Sequence, residues 1–267
     1  MTPAAIKQLF TYPIKGLTPH ECERVTLEAG HGIPGDRAFA LMYVEADKIS
    51  DPEESVPWLP KGNFAMQNDW PGLAGLQCQY EPQTGNLSVH RQGIPLFVAD
   101  TGTPAGRELI GAFFTGYLAS LHPTATARHP EKAPLRLVGS GTGTTRYPDR
   151  QPVHISLVSQ ATLDAITTEA GQPVDARRFR PNIVIDGVSA WEEFNWIGKE
   201  LQIGECRIAI SARIGRCANI DVNPETGERD IPLFSLLPQK FGHAQTGVLA
   251  TVIAGGPIAV GDLLNQP

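Results

Sequence analysis

The chain has 267 residues, of which 41% are hydrophobic and 19% are charged, and its net charge is -6. With 27 glycines and 23 prolines, it is too rich in helix-breaking residues for a helical bundle or coiled coil, so we expect short strands and many turns. The acidic balance argues against a surface that binds nucleic acid or an anionic membrane, and any anion site must be local. No apolar run approaches the ~18 residues of a membrane helix, and the N-terminal sequence lacks a signal-peptide pattern. These features predict a cytoplasmic protein.

The first half of the sequence shows short apolar runs separated by turn residues, which predicts an antiparallel β meander. The expected strands lie at residues 6–14, 24–30, 37–44, 73–81, 86–93 and 94–100. A polar, proline-rich stretch at 47–70 predicts an ordered surface loop, and residues 106–121 predict a helix. The following segment, 122–134, loses all periodicity. We therefore expect a domain boundary there, with domains at 1–122 and 123–267.

The second half shows β signals at 135–139, 181–187, 193–205, 206–215 and 246–262. One short helix is predicted to begin after a capping Ser159 and to end at Gly171. Glycines recur at the ends of the predicted strands, as the tight corners of a small barrel require. The sequence therefore predicts a mainly β protein with a few short helices, arranged as two β-barrel-like domains.

The four cysteines form neither a CxxC pair nor a disulfide-dense pattern, which excludes a zinc ribbon and a ferredoxin-type iron–sulfur centre. Cys217 stands beside Arg216, where a β run gives way to a turn-rich loop. This position suits a thiolate nucleophile or a soft metal ligand, although a structural thiol remains an alternative. Cys78 and Cys206 lie inside apolar runs and are expected to be small buried hydrophobes.

Arginines are concentrated in the second half of this acidic chain: Arg177, Arg178, Arg180, Arg207, Arg213 and Arg216 fall within forty residues. Guanidinium groups bind phosphate and carboxylate through paired hydrogen bonds, so the cluster is a candidate anion site. For any single arginine the alternative is a solvated face with an ion pair to a nearby acid, and both interpretations stay open.

Other motifs do not support hydrolase or nucleotide chemistry. The glycine-threonine loop at 139–145 lacks the Lys-Ser/Thr of a P-loop. His154 and His243 lack the spacing of metal ligands, and no GxSxG nucleophile elbow is present. We expect these histidines to be hydrogen-bonded surface or core residues.

Three sets of segments, taken together, resemble one family. They are YPIKGL with GIPGDRAFAL, then RFRPNIVIDG followed by W-x-G-K-x-L-x-I-G, then RCANIDVNPETGERD with FGHAQTGVLATVIAGGPIAVGD. In this order they resemble MOSC proteins with an N-terminal MOSC β-barrel domain, the group that includes the mitochondrial amidoxime-reducing component and its bacterial relatives. The resemblance implies a β-barrel domain at 1–122, a MOSC domain at 123–267, and a molybdenum cofactor (molybdopterin) held between them.

The resemblance also implies roles for particular residues. It assigns Cys217 as the catalytic metal ligand, and it places the cofactor against Lys15, Arg37, Arg180, Asn182, Arg216 and Cys217. Two positions depart from the family: a serine after the lysine is Gly16 here, and a serine before the Arg-Cys pair is Gly215.

These expectations support three functions. The first is a molybdenum-dependent oxidoreductase that reduces small N-hydroxylated compounds with electrons from a separate protein. The second is a carrier of the cofactor or of sulfur that uses Cys217 without turnover. The third is a non-catalytic β-barrel binding module with a structural Cys217. None of the three requires a nucleic-acid or membrane partner.

Overall fold

The structure is a computed structural model that describes residues 4–44, 56–128, 134–141 and 146–265. Its strands are β1 (Ala4–Thr11), β2 (His20–Cys22), β3 (Arg24–Leu27), β4 (Phe39–Tyr43), β5 (Gln77–Glu81), β6 (Asn86–Arg91), β7 (Ile94–Asp100), β8 (Leu135–Gly139), β9 (Ile155–Ser159), β10 (Ile183–Asp186), β11 (Glu200–Ile203), β12 (Cys206–Gly215), β13 (Gln245–Ala254), β14 (Gly256–Ala259) and β15 (Leu263–Asn265). Its helices are α1 (Pro104–Ser120), α2 (Gln160–Ala170) and α3 (Leu233–Phe241). The mainly β architecture with short helices is confirmed.

Seven strands close into a barrel in the order β1, β10, β9, β13, β12, β11, β15 and back to β1. All neighbours are antiparallel except β9 and β10, which run parallel. Buried and exposed residues alternate along strands such as β11 and β12, so one side of each strand faces the apolar interior. That interior includes Ile6, Ile185, Leu201 and Ile208. Closure leaves none of the seven strands with an unpaired edge.

Strand pairing connects the two halves of the sequence at four places. β1 lies between β10 and β15, with Ile6 opposite Ile185. β3 pairs with β14, and β4 pairs with β8. The division into domains at 1–122 and 123–267 stays a prediction, but these four strand pairings all cross it.

The predicted meander is right for β5, β6 and β7, which form a three-stranded antiparallel sheet. It is wrong for β1, β3 and β4, because these strands find their partners far along the chain.

Helix α1 packs against β7 and β8, and Phe114 and Leu118 are fully buried in the core between them. The helix begins at Pro104, just before its predicted start, because Thr103 caps it by accepting a hydrogen bond from the Gly106 backbone N–H at 3.2 Å.

Helix α2 begins and ends where the sequence predicts. The hydroxyl of Ser159 accepts a hydrogen bond from the Thr162 backbone N–H at 3.1 Å, and Gly171 ends the helix with a positive φ of 69°. Helix α3 was not predicted, and Pro238 within it removes the usual sequence signal of a helix. The predicted strand at 193–205 starts instead as a 3-10 turn over Glu192–Trp196, and only β11 is extended.

The loop predicted at 47–70, the boundary segment 122–134 and the glycine-threonine loop 139–145 lie in part outside the described residues. At the described end of the first, Trp70 is fully buried, and its indole N–H donates to the Tyr43 hydroxyl at 2.7 Å. Among the helices that the structure describes, none has the length and apolarity to cross a bilayer.

Candidate functional site

A cavity of about 470 Å³ lies at the end of the barrel where β9 and β10 begin and β12 ends. Both halves of the sequence line it. Its cationic lining residues are Arg37, Lys61, Arg128, Arg150, Arg178, Arg180 and Arg216. Asp149 is the one carboxylate among the described lining residues. In a chain with a net charge of -6, this concentration of positive charge makes the cavity a candidate anion site.

Two of these arginines flank one buried aromatic ring. The guanidinium carbons of Arg37 and Arg180 lie 4.7 Å and 4.3 Å from the centre of the Tyr12 ring. Both arginines have a φ of 52°, in the left-handed region that costs a non-glycine residue about 1–2 kcal/mol. Tyr12 is fully buried and donates its hydroxyl to the Pro181 carbonyl at 3.1 Å. The ring therefore holds two strained arginines at the cavity wall through cation–π contacts.

Asp36 holds together the wall behind these arginines. Its fully buried carboxylate accepts hydrogen bonds from Arg37 at 2.5 Å, from the Tyr12 backbone N–H at 2.9 Å, and from Arg146. Burial disfavours the ionised form, but the charges of Arg37 and Arg146 outweigh it, so the pKa of Asp36 lies below its usual value. Asp36 is thus an ionised buried anchor for Arg37.

Asn182 also lines the cavity, but its amide group is committed within the protein. The amide nitrogen donates to Asp36 and to the Phe10 carbonyl, each at 3.1 Å. The amide oxygen accepts from the backbone N–H of Ser156 at 3.1 Å and from its hydroxyl at 3.2 Å. Both N–H donors of the amide are then used, and its oxygen accepts two hydrogen bonds. The contacts of Asn182 are therefore those of a residue that positions the cavity wall.

Arg216 and Cys217 follow directly on β12, and both line the cavity. The guanidinium of Arg216 donates to the Phe179 carbonyl at 2.7 Å and to the Thr246 carbonyl. Its Nε is buried with no hydrogen-bond partner within the described part of the chain. Burial lowers the pKa of Arg216 to about 10, so it stays charged at neutral pH. The Cys217 thiol is exposed, which leaves its sulfur accessible from the cavity.

Lys15 is placed differently from the other predicted residues. It is 1% exposed and does not line the cavity. Its ammonium donates to the Tyr147 carbonyl at 2.9 Å and to Asp149 at 2.5 Å. Desolvation acts against ionisation of Asp149, but the adjacent Lys15 outweighs it and holds the pKa of that carboxyl well below its usual range. Lys15 therefore contributes to the cavity wall indirectly, through its contact with Asp149.

Sequence analysis missed Asp149 and Ser156, and it did not assign His154 to the site. All three line the cavity, and burial lowers the pKa of His154. They belong to a stretch at 146–156 with no periodic pattern and no motif spacing. The alternation of charge in RYPDR was the only available signal.

The arginine cluster splits between the two expected roles. Arg178, Arg180 and Arg216 line the cavity. The others belong to the surface: Arg177 pairs with Asp175 at 2.6 Å, Arg207 pairs with Glu200 at 3.5 Å, and Arg213 lies over the Phe194 ring at 4.4 Å.

The remaining cysteines behave as expected from their apolar surroundings. Cys78 and Cys206 are buried, and burial raises the pKa of Cys78 to about 12. Within the residues that the structure describes, no three His, Cys, Asp or Glu side chains converge to hold a metal ion.

Comparison with known proteins relates the chain to one family. Residues 143–265 match the MOSC domain. Mitochondrial amidoxime reducing component 2 of Rattus norvegicus is 39% identical over 254 residues, which cover 86% of this chain and 71% of that protein. Mitochondrial amidoxime-reducing component 1 of Homo sapiens is 36% identical over 249 residues, which cover 86% of this chain and 70% of that protein.

Two further similarities are more limited. A 56-residue stretch, 21% of this chain and 7% of the other protein, is 45% identical to the molybdenum cofactor sulfurase of Oryza sativa subsp. japonica. The solved structure of the YUAD protein from Bacillus subtilis covers 99% of this chain and 94% of its own, at 13% identity and a TM-score of 0.45.

The MOSC domain match and the 39% identity to a relative over 86% of the chain show that the chain belongs to the MOSC domain family. Within the family, it belongs with the amidoxime-reducing components, which match it over most of its length. Relatives named for amidoxime reduction and for sulfuration of the molybdenum cofactor connect this group to that cofactor.

Proposed function

We propose that this protein is a molybdenum-cofactor-dependent oxidoreductase that reduces small N-hydroxylated compounds. The observation that carries the proposal is the cavity itself, where an exposed cysteine opens into a strongly cationic lining in an otherwise acidic chain. A thiolate is a soft ligand that suits a metal such as molybdenum, and arginines suit a phosphate.

The residues present fit the cofactor. The Nε of Arg216 is buried and has no partner among the residues that the structure describes, so it is a donor that a bound anion would satisfy. Cys217 would hold the metal through its sulfur, while Arg37, Arg180 and Arg216 would hold the anionic part of the cofactor. Lys15 and Asn182 would support this wall from behind, through Asp149 and Asp36.

When bound, the cofactor would supply the oxygen-atom chemistry of the reaction. Overall, the N–O bond breaks, the oxygen leaves as water, and two electrons and two protons are consumed. Asp149 is ionised at neutral pH, because its pKa is lowered. Its second carboxylate oxygen would thus accept a hydrogen bond from a bound compound, and Lys15 would hold the carboxylate in place.

The electrons would come from a separate protein, and the substrate would be a small molecule that enters the cavity. Several relatives are mitochondrial by name. A cytoplasmic location for this chain stays a prediction.

The proposal is tested by metal content. Protein produced in a molybdenum-competent host should contain molybdenum, and Cys217→Ala should lose it, because one thiolate anchors the metal. Cys78→Ala is the matched control, since this buried thiol lies outside the cavity. Equal molybdenum content in wild type and Cys217→Ala would contradict the assignment.

An exposed thiol beside a cationic cavity also suits a second function, carriage of the cofactor or of sulfur without turnover. Reduction of an N-hydroxylated compound by the molybdenum-loaded protein, with a chemical electron donor, separates the two. A loaded protein without turnover would favour the carrier.

A further inference from the structure

The cavity also has an uncharged part, formed by the amide side chains of Gln67, Asn68 and Asn219. Asn219 lies in the 3-10 turn Ala218–Asp221, which begins directly after Cys217. Gln67 comes from the other half of the sequence. Asn219 therefore lies two residues along the chain from the thiol that we expect to hold the metal, whereas Gln67 reaches the cavity only through the fold.

The amide of Asn219 is only partly satisfied. Its nitrogen donates to the Gln67 amide oxygen at 3.4 Å, which is a long hydrogen bond. Its oxygen is buried and has no hydrogen-bond partner within the described residues. Gln67 is 6% exposed. A buried carbonyl without a donor has lost its hydration without replacement, so it marks a place where a ligand donor fits.

Local packing holds the backbone around Asn219 in place. The backbone N–H of Ile220 donates to the Cys217 carbonyl at 3.2 Å, and that of Val222 donates to the Asn219 carbonyl at 3.1 Å. The adjoining loop packs on the first half at Gly227, where a β-carbon would lie only 2.8 Å from the Gly72 α-carbon. The turn and the loop are therefore both held in place, which fixes the backbone from which the Asn219 side chain extends.

We propose that the Gln67–Asn219 pair selects the substrate, with the Asn219 amide oxygen accepting a hydrogen bond from an N–H group of a neutral amidoxime. This inference rests on the proposed function. The charged groups of the cavity lie on other lining residues, and an uncharged acceptor two residues after Cys217 suits a neutral donor. Asn219 is thus a specificity-determining residue for N-hydroxylated compounds that carry a free amino group.

An N–H donor could also come from the pterin ring of the cofactor, and the experiment separates the two sources. The probes are benzamidoxime and N,N-dimethylbenzamidoxime, which lacks the amino N–H groups. Binding of each to molybdenum-loaded protein is measured by calorimetry without an electron donor, so that no turnover occurs. The variants are Asn219→Leu and Asn219→Ser, and Gln202→Leu is a control in an exposed amide outside the cavity.

We expect Asn219→Leu to weaken benzamidoxime binding about fivefold to tenfold, the effect of one lost hydrogen bond. The dimethyl probe should change less than twofold, and Asn219→Ser should recover part of the benzamidoxime affinity. Gln202→Leu should bind both probes like wild type.

Equal weakening of both probes by Asn219→Leu would overturn the inference, because Asn219 would then only shape the cavity. Loss of molybdenum from Asn219→Leu would also overturn it and assign the carbonyl to the cofactor. A wild type that retains molybdenum but does not reduce benzamidoxime contradicts the proposed function itself, which distinguishes that failure from a failure of Asn219 alone.

Discussion

Replacing Arg180 by lysine tests whether the cavity recognises an anion by geometry as well as by charge. Arg180 lies at the cavity wall, where its guanidinium stacks on Tyr12 at 4.3 Å and donates to the Leu17 carbonyl at 2.5 Å. The nearby acid Asp175 is bonded to Arg177 instead. Lysine keeps the positive charge but loses the planar group that can bind two phosphate oxygens at once.

The expected loss is the value of one charge-assisted hydrogen bond, about 1.5–3 kcal/mol. This corresponds to a roughly tenfold to hundredfold larger dissociation constant for the cofactor. The stability of the fold should change less. Lysine keeps an N–H donor for the Leu17 carbonyl and retains part of the cation–π contact with Tyr12.

The assay is reconstitution of cofactor-free protein, with affinity and melting temperature measured on the same preparations. Arg207→Lys is the matched control, because Arg207 is exposed and pairs with Glu200 at 3.5 Å outside the cavity. We expect weaker binding for Arg180→Lys and unchanged binding for the control. Normal affinity in a folded Arg180→Lys protein would refute the role of Arg180 in anion binding.

Three further outcomes are expected. Gly16→Ser should lower the free energy of unfolding, measured in urea, by at least about 2 kcal/mol. The reason is that Gly16 has a φ of +81°, and a β-carbon there would lie 2.7 Å from a backbone oxygen. Gly215→Ser should be nearly neutral, because a β-carbon at Gly215 would have no atom within 4 Å. Asp36→Asn should cost about 3–5 kcal/mol at pH 7, since it leaves buried arginines unpaired. Because folding lowers the pKa of Asp36, its contribution to the free energy of unfolding is complete above the ordinary pKa of 3.8 and is lost as the pH falls below that value. Melting curves over a pH series in which wild type and variant differ equally at pH 7 and pH 3 would contradict this. Cutting the chain between residues 128 and 134 and separating the halves should abolish cofactor binding, because the C-terminal half loses β1; cofactor retention by that half alone would show that the site is not shared.

Local sequence signals determined much of this protein. The caps at Ser159 and Gly171 located α2, since capping depends on the residue itself and on its nearest neighbours. Strands β7, β8 and β12 were predicted with their observed bounds, because a short apolar run bounded by turn residues is a local signal. The resemblance of three motifs also pointed to Cys217 and to three of the arginines that line the cavity, Arg37, Arg180 and Arg216.

Only the tertiary structure decided which strands pair and which side chains meet. The closure of the barrel by β1 depends on contacts between residues about 180 positions apart, such as Ile6 with Ile185, and no local pattern encodes such a pairing. The placement of Lys15 behind Asp149 follows from the same long-range packing. The unpaired oxygen of Asn219 is likewise visible only in three dimensions, because whether a polar atom has a partner depends on everything that folds around it.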